Sequence, residues 1–214
     1  MNNKAPHIII SGGGTGGHVF PAISIAHALK AMNPDTKILF VGAKGKLEMR
    51  KVPEAGYRII GLPVAGVQRR LTWKNLLVPF KLIRSLRQSA RIIKDFQPDV
   101  VVGVGGYASG PVLRVAERKG IPALIQEQNS YAGVTNRLLA HKASKICVAY
   151  EGMDKYFPKD KIELTGNPVR EELIPNAGKK QEALEHWHLS KNMKTILVIG
   201  GSLGARSINE SIMT

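Results

Sequence analysis

Short apolar runs alternate along the chain with longer stretches whose apolar residues recur at helical spacing. Ile8-Ile9-Ile10 and Val100-Val101-Val102 contain no polar residue at all. A strand with one wet face alternates apolar and polar positions. An unbroken run suits a strand covered on both faces, as in a parallel sheet. On this basis strands are predicted at His7–Ser11, Lys37–Gly42, Tyr57–Leu62, Asp99–Val104, Pro122–Glu127, Lys145–Ala149 and Ile162–Thr165. Helices are predicted between them, at Pro21–Met32, Lys46–Ala55, Asn75–Asp95, Gly110–Lys119 and Gly133–Ala143. Strand–helix alternation of this kind predicts an α/β fold with a doubly wound, Rossmann-like parallel sheet.

The pattern changes after Pro168. Residues 171–193 are polar, with a short helical pattern at Glu182–Leu189, and Thr195–Ile199 reads as a new strand. Gly200-Gly201-Ser202-Leu203-Gly204 and the start of a helix follow, echoing Ile8–Gly17. One strand and one helix cannot bury a sheet of their own. The expected organisation is therefore a first domain at residues 1–168, then a linker and the opening of a second domain at residues 169–214. The chain reads as the front part of a longer, two-domain protein.

Glycine is concentrated where strands hand over to helices. Five of the six residues Gly12–Gly17 are glycine, in the turn Ser11-Gly12-Gly13-Gly14-Thr15-Gly16-Gly17-His18. A second turn runs from Gly103 through Gly105-Gly106-Tyr107 to Gly110, and a third is Gly200–Gly204. Glycine permits sharp turns and close backbone approach. A helix N-terminus behind such a turn offers free N–H groups to an anion or a polar sugar. Two familiar motifs fail at their deciding residue. A phosphate-binding P-loop needs lysine where His18 stands. A dinucleotide fold needs an acidic residue at the end of the second strand, which here ends Val41-Gly42-Ala43-Lys44. NAD is disfavoured, and Lys44 leaves an opening only for NADP.

In a parallel sheet such turns share the carboxyl edge, where ligands bind. His18 lies beside that edge and is a candidate general base, its ordinary pKa of ~6.5 being close to working pH. The alternative is that it only hydrogen-bonds its loop. His27 and His141 read as packing or surface residues, His186 and His188 as exposed, and Cys147 as a small core residue. Gln126-Glu127-Gln128-Asn129 closes a strand at the same edge, as site residues or helix caps. No His-Glu-x-x-His or Asp-x-Asp occurs, which argues against a zinc hydrolase and a carboxylate-held divalent ion. No metal site is expected.

Charge narrows the partners. Thirty-one Lys and Arg against 16 Asp and Glu give +15 in 214 residues, so the chain seeks phosphate in some form. From Ala55 to Lys94 there is no acidic residue and nine basic ones. Leu71, Trp73, Leu76 and Leu77 lie among Arg69, Arg70, Lys74 and Lys81. Apolar residues ringed by cations suit an anionic membrane surface, the alternative being a solvated helix with an ordinary core face. Aromatic residues are not interleaved with the cations, so nucleic acid is not expected. No apolar run reaches the ~18 residues of a membrane span. One cysteine and no secretory pattern fit a cytoplasmic protein.

Taken in order, five stretches resemble the bacterial UDP-N-acetylglucosamine–N-acetylmuramyl-(pentapeptide) pyrophosphoryl-undecaprenol N-acetylglucosaminyltransferases. They are Ser11–Ala22, Gly103–Pro111, Gln126–Asn129 with Ala132–Asn136, Thr165–Arg170 and Gly200–Ala205. The resemblance implies the N-terminal half of a two-domain glycosyltransferase of the B type. The reaction would move N-acetylglucosamine from UDP to the 4-hydroxyl of the muramyl sugar of undecaprenyl-pyrophosphoryl-MurNAc-pentapeptide (lipid I), giving lipid II with inversion. No cofactor is implied, and the enzyme would work peripherally on the cytoplasmic face of the membrane. By matching, Thr15, Gly16, Gly17, Asn129, Arg170 and Ser202 would contact the donor, and His18 would be the base. Gly105, Gly106 and Tyr107 would line the acceptor pyrophosphate site, while Glu127 and Asn136 match site positions of less defined role. Rival readings are a UDP-sugar 2-epimerase of the same fold and a basic membrane-binding module.

Overall fold

The computed structural model describes residues 5–64, 78–170, 177–200 and 206–213. The chain divides into two compact units, Met1–Val169 and Arg170–Thr214. In the first, seven strands form one sheet: β1 (His7–Ser11), β2 (Lys37–Ala43), β3 (Arg58–Leu62), β4 (Val100–Gly103), β5 (Ala123–Glu127), β6 (Lys145–Val148) and β7 (Ile162–Leu164). Their order is β3-β2-β1-β4-β5-β6-β7 and every pairing is parallel. The helices are α1 (Gly16–Met32), α2 (Glu48–Glu54), α3 (Val78–Phe96), α4 (Ser109–Arg118) and α5 (Val134–Leu139).

The unbroken apolar runs serve both faces, as strand period 2 requires. Ile8 and Ile10 pack with Val19, Ala22, Ile23 and Ala26 of α1, while Ile9 between them packs with Ile92, Ile93 and Leu113 of α3 and α4. The register places Ile8, Ile9 and Ile10 beside Val100, Val101 and Val102. Chain order reverses between β1 and β4. β2 and β3 extend the sheet to one side and β5, β6 and β7 to the other. This is the switch point of a doubly wound sheet, and loops leaving neighbouring strands there open a crevice.

Three expectations need correction. Helix α1 begins at Gly16, not Pro21, so Pro21 lies inside it. Proline there removes the bond to the carbonyl of Gly17, an exposed residue of the first turn. Residues 194–200 form no strand, and Ile196 and Leu197 are 87% and 77% exposed. A strand needs a ladder partner, and the described residues of the second unit provide none. Gly133–Ala143 is a short α5 followed by a 3-10 turn at Ala140–Lys142. In the second unit, α6 (Lys180–His186) and α7 (Arg206–Met213) bury no residue.

Candidate active site

The two glycine turns of the first unit leave β1 and β4, adjacent strands at the switch point, and pack directly on each other. Val104 N–H donates to the Ser11 carbonyl at 2.9 Å. A Cβ on Gly106 would stand 2.3 Å from the Gly13 carbonyl oxygen, and Gly106 has φ +83°, so glycine is required there twice over. A Cβ on Gly12 would stand 2.2 Å from Val104 Cγ2. Part of the glycine that the sequence assigns to ligand approach thus serves the contact between turns. Gly14, with nothing near its missing Cβ, faces open space.

His18 sits in the first turn of α1, half-buried. Its Nδ1 is 3.2 Å from Thr15 Oγ1, and a Cβ on Gly105 would lie 2.9 Å from its Nε2. Burial holds the imidazole below its ordinary pKa of 6.5, while the charges of Glu127 and Glu48 pull the other way. The ring is therefore neutral at neutral pH. In the tautomer that donates from Nδ1 to Thr15, Nε2 keeps its lone pair on the side of the second turn. That is the state a general base needs.

Glu127 ends β5 and is 1% exposed. Its Oε1 accepts from the backbone N–H of Asn129 at 3.1 Å and from Asn129 Nδ2 at 3.0 Å. Its Oε2 accepts from Gly133 N–H at 2.9 Å and from Asn136 Nδ2 at 3.0 Å. A buried carboxylate is tolerable when its lone pairs are taken up in this way. The result is a fixed loop from β5 into α5. Gln128 Nε2 donates across to the Val104 carbonyl at 3.0 Å, tying this loop to the second turn. Asn136 Oδ1 is buried without a partner.

These elements enclose a cleft of about 630 Å³. Among the residues singled out in the sequence, Thr15, His18, Gly105, Gly106, Tyr107, Glu127 and Asn136 line it. Asn129 is held to Glu127, and Gly16 and Gly17 open α1 beside it. Arg170 begins the second unit. Ser202, Leu71, Trp73, Leu76 and Leu77 lie outside the described residues. Lys46, Val64 and Thr135 also line the cleft and were not anticipated. Nor was Glu48, whose carboxylate accepts from Gly14 N–H and Ala43 N–H, both at 2.8 Å.

The other candidates recede. His27 and His141 are exposed. Cys147 is half-buried rather than fully in the core, and burial pushes its thiol pKa up, away from the reactive thiolate. Among the described residues no three His, Cys, Asp or Glu side chains could hold a metal ion. No described helix is long and apolar enough to cross a membrane.

Comparison with known proteins places this cleft in context. The model of the glycosyltransferase family 28 N-terminal domain matches residues 8–148. A UDP-N-acetylglucosamine–N-acetylmuramyl-(pentapeptide) pyrophosphoryl-undecaprenol N-acetylglucosamine transferase of Bacteroides fragilis is 58% identical over 217 residues, covering 99% of this chain and 57% of that protein. The protein of the same name from Parabacteroides distasonis is 64% identical over 205 residues, covering 96% and 56%. The chain thus spans little more than half the length of these relatives. Among solved structures, MurG of Acinetobacter baumannii matches with TM-score 0.64 and 31% identity over 78% of this chain and 47% of that one. A UDP-GlcNAc 2-epimerase of Neisseria meningitidis matches with TM-score 0.63 but 17% identity over 98% of this chain and 61% of its own, a likeness of fold alone.

Proposed function

This chain belongs to glycosyltransferase family 28, whose N-terminal domain is matched by residues 8–148, and from that premise we propose that the full-length protein transfers N-acetylglucosamine from UDP-N-acetylglucosamine to lipid-linked MurNAc-pentapeptide, making lipid II for peptidoglycan. The observation that carries the reading is the placement of His18, which lines the cleft with its Nε2 against the second glycine turn, where burial lowers its pKa. In the proposed step the acceptor 4-hydroxyl attacks the anomeric carbon from the face opposite UDP. The C1–O bond to UDP breaks, UDP leaves with the electron pair, and the hydroxyl proton passes to His18 Nε2. Inversion follows from a single in-line displacement.

Roles follow from place and chemistry. The N-terminal end of α1, with Thr15, Gly16 and Gly17, suits the donor diphosphate, since free helix N–H groups favour an anion. Asn129, Arg170 and Ser202 would complete the donor contacts, the last two from the second domain. Gly105, Gly106 and Tyr107 would receive the acceptor pyrophosphate. The acceptor is fixed in a bilayer, so the enzyme must come to the surface. Leu71, Trp73, Leu76 and Leu77 with their cations would dock it on the cytoplasmic leaflet, inserting shallowly without a span.

The test is product analysis with the full-length protein. UDP-N-acetylglucosamine and lipid I should yield lipid II and UDP without added metal, and UDP-N-acetylglucosamine alone should remain unchanged. Epimerisation of the donor without acceptor would replace this reading by the 2-epimerase one. Arg170→Ala should weaken donor binding in calorimetry and leave acceptor binding unchanged. Wild type should bind anionic liposomes less as salt rises, since the screening length falls from ~10 Å at 0.1 M to ~3 Å at 1 M. A folded Leu71→Ser, Trp73→Ser, Leu76→Ser triple variant that binds equally well would remove the docking patch.

A further inference from the structure

Glu48 is the second buried carboxylate of the cleft region, and the proposed reaction gives it no task. It stands in the first turn of α2 and is 1% exposed. Its Oε2 accepts from Gly14 N–H at 2.8 Å and its Oε1 from Ala43 N–H at 2.8 Å. One carboxylate therefore bridges the end of β2 to the glycine turn that follows β1. The space around it is shaped for it. A Cβ on Gly13 would lie 2.2 Å from its Cδ, and a Cβ on Gly42 would lie 2.5 Å from its Cγ. Gly13 and Gly14 have φ of +141° and +95°, conformations glycine adopts without strain, and with no side chain of their own to anchor them.

We propose that Glu48 is a positioning residue: its carboxylate clamps Gly14 from beneath and so fixes the turn that presents Thr15, Gly16, Gly17 and His18 to the substrates. Electrostatics alone would exclude a carboxylate here. A negative charge behind a turn that receives a diphosphate opposes binding. Its value lies in orientation, because two N–H donors aimed at one point need two acceptors. Glutamine cannot replace it, since its oxygen satisfies one donor and its NH₂ group faces the other. Aspartate keeps the charge but is one methylene too short to span from α2 to Gly14. The clamp should therefore act mainly on turnover, and donor affinity should change little where the charge is removed together with the clamp. Loss of charge favours the diphosphate, while loss of the clamp leaves His18 out of line, and misplacement of about 1 Å costs ~10²-fold.

This inference rests on the proposed transfer reaction at the His18 cleft. The test uses the full-length protein with lipid I and UDP-N-acetylglucosamine. Glu48→Gln and Glu48→Asp should both lower kcat by at least about tenfold, and in Glu48→Gln, where the charge is gone, donor Kd should stay within threefold of wild type or be tighter. Gly42→Ala, which pushes Glu48 out of its seat without touching the turn, should lower kcat likewise and guards against a Glu48 variant that fails to fold. In amide hydrogen exchange, the Gly14 N–H should be protected in wild type and lose protection in whichever variant folds. Folded variants with wild-type kcat, or an aspartate variant with full activity beside an impaired glutamine one, would overturn the clamp. An unprotected Gly14 amide in the wild type would do the same. Absence of transfer by the wild type itself would instead overturn the reading of the site, while the amide measurement would still decide the clamp.

Discussion

Two carboxylates flank His18 from opposite sides of the switch point, and they are buried to the same degree by different means. Glu127 gathers two backbone and two asparagine donors from the loop into α5. Glu48 has two donors, both backbone, in a seat bounded by Gly13 and Gly42. On the Glu127 side half of the donors are side chains, so a substitution can be met by a shifted amide or by solvent at the exposed Asn129 and Gly133. On the Glu48 side both donors are backbone, so the main chain itself is held. The lesson is that a buried charge can either knit side chains and backbone together or fix a main-chain turn alone, and here only the second sits in a seat that glycines leave open.

If both carboxylates serve one imidazole, removal of that imidazole must outweigh removal of either. His18→Ala in the full-length protein is expected to lower turnover by ~10²–10⁴-fold, the usual cost of losing a general base. Donor affinity, measured separately by calorimetry, should change little. Adding Glu127→Gln to His18→Ala should then cost far less turnover than Glu127→Gln does alone, if Glu127 acts only through the imidazole. Near-normal turnover in His18→Ala would dissolve the comparison by taking away its centre.

The next effect is on stability and should separate the two sides. Glu127→Ala leaves the amide of buried Asn136 without its carboxylate partner, a loss of about 1–3 kcal/mol for an unsatisfied buried donor. Asn129 and Gly133 are exposed and can turn to water. Denaturant unfolding checks this. A loss well above that range would mean that the exposed donors are also stranded, and that the Glu127 loop is as dependent on its carboxylate as the Glu48 turn.

How much of this was legible in the sequence differs between the two sides for the same physical reason. The sheet was legible throughout, because Ile8-Ile9-Ile10 and Val100-Val101-Val102 have to be covered on both faces. Glu127 was legible as well, because it closes a strand at the ligand edge beside Gln126, Gln128 and Asn129. Glu48 was not. Inside Lys46–Ala55 a glutamate reads as an exposed helix residue, and nothing in its spacing says that it turns back toward Gly14. The usable signal was Gly42 at the end of β2 with an acid shortly after, in the first turn of a helix. The contact between the glycine turns was hidden too, since it depends on β1 and β4 being neighbours. The start of α1 is hidden because proline ordinarily suits a helix's first turn and Pro21 lies inside this one, and the absence of a Thr195–Ile199 strand because a local pattern cannot supply a ladder partner.

The smallest expected effect is a shift in pH dependence, and it ranks the two carboxylates directly. Burial holds the His18 pKa below 6.5, and Glu127 first and Glu48 second act to raise it. If His18 is the base it acts in its neutral form, so kcat/KM should level off toward neutral pH and fall as pH drops through the lowered His18 pKa. Replacing either carboxylate by glutamine removes a charge that favours the imidazolium. The sign is therefore the same for both: the His18 pKa falls further, and the acid limb moves to lower pH. Because Glu127 is the larger influence, Glu127→Gln should move the limb more than Glu48→Gln does. The Glu48 variant should instead show its effect in the plateau, through the misplaced turn. Full pH profiles of the two folded variants test this. Equal limb shifts with equal plateaus would mean that the two carboxylates act alike, as distant charges and nothing more.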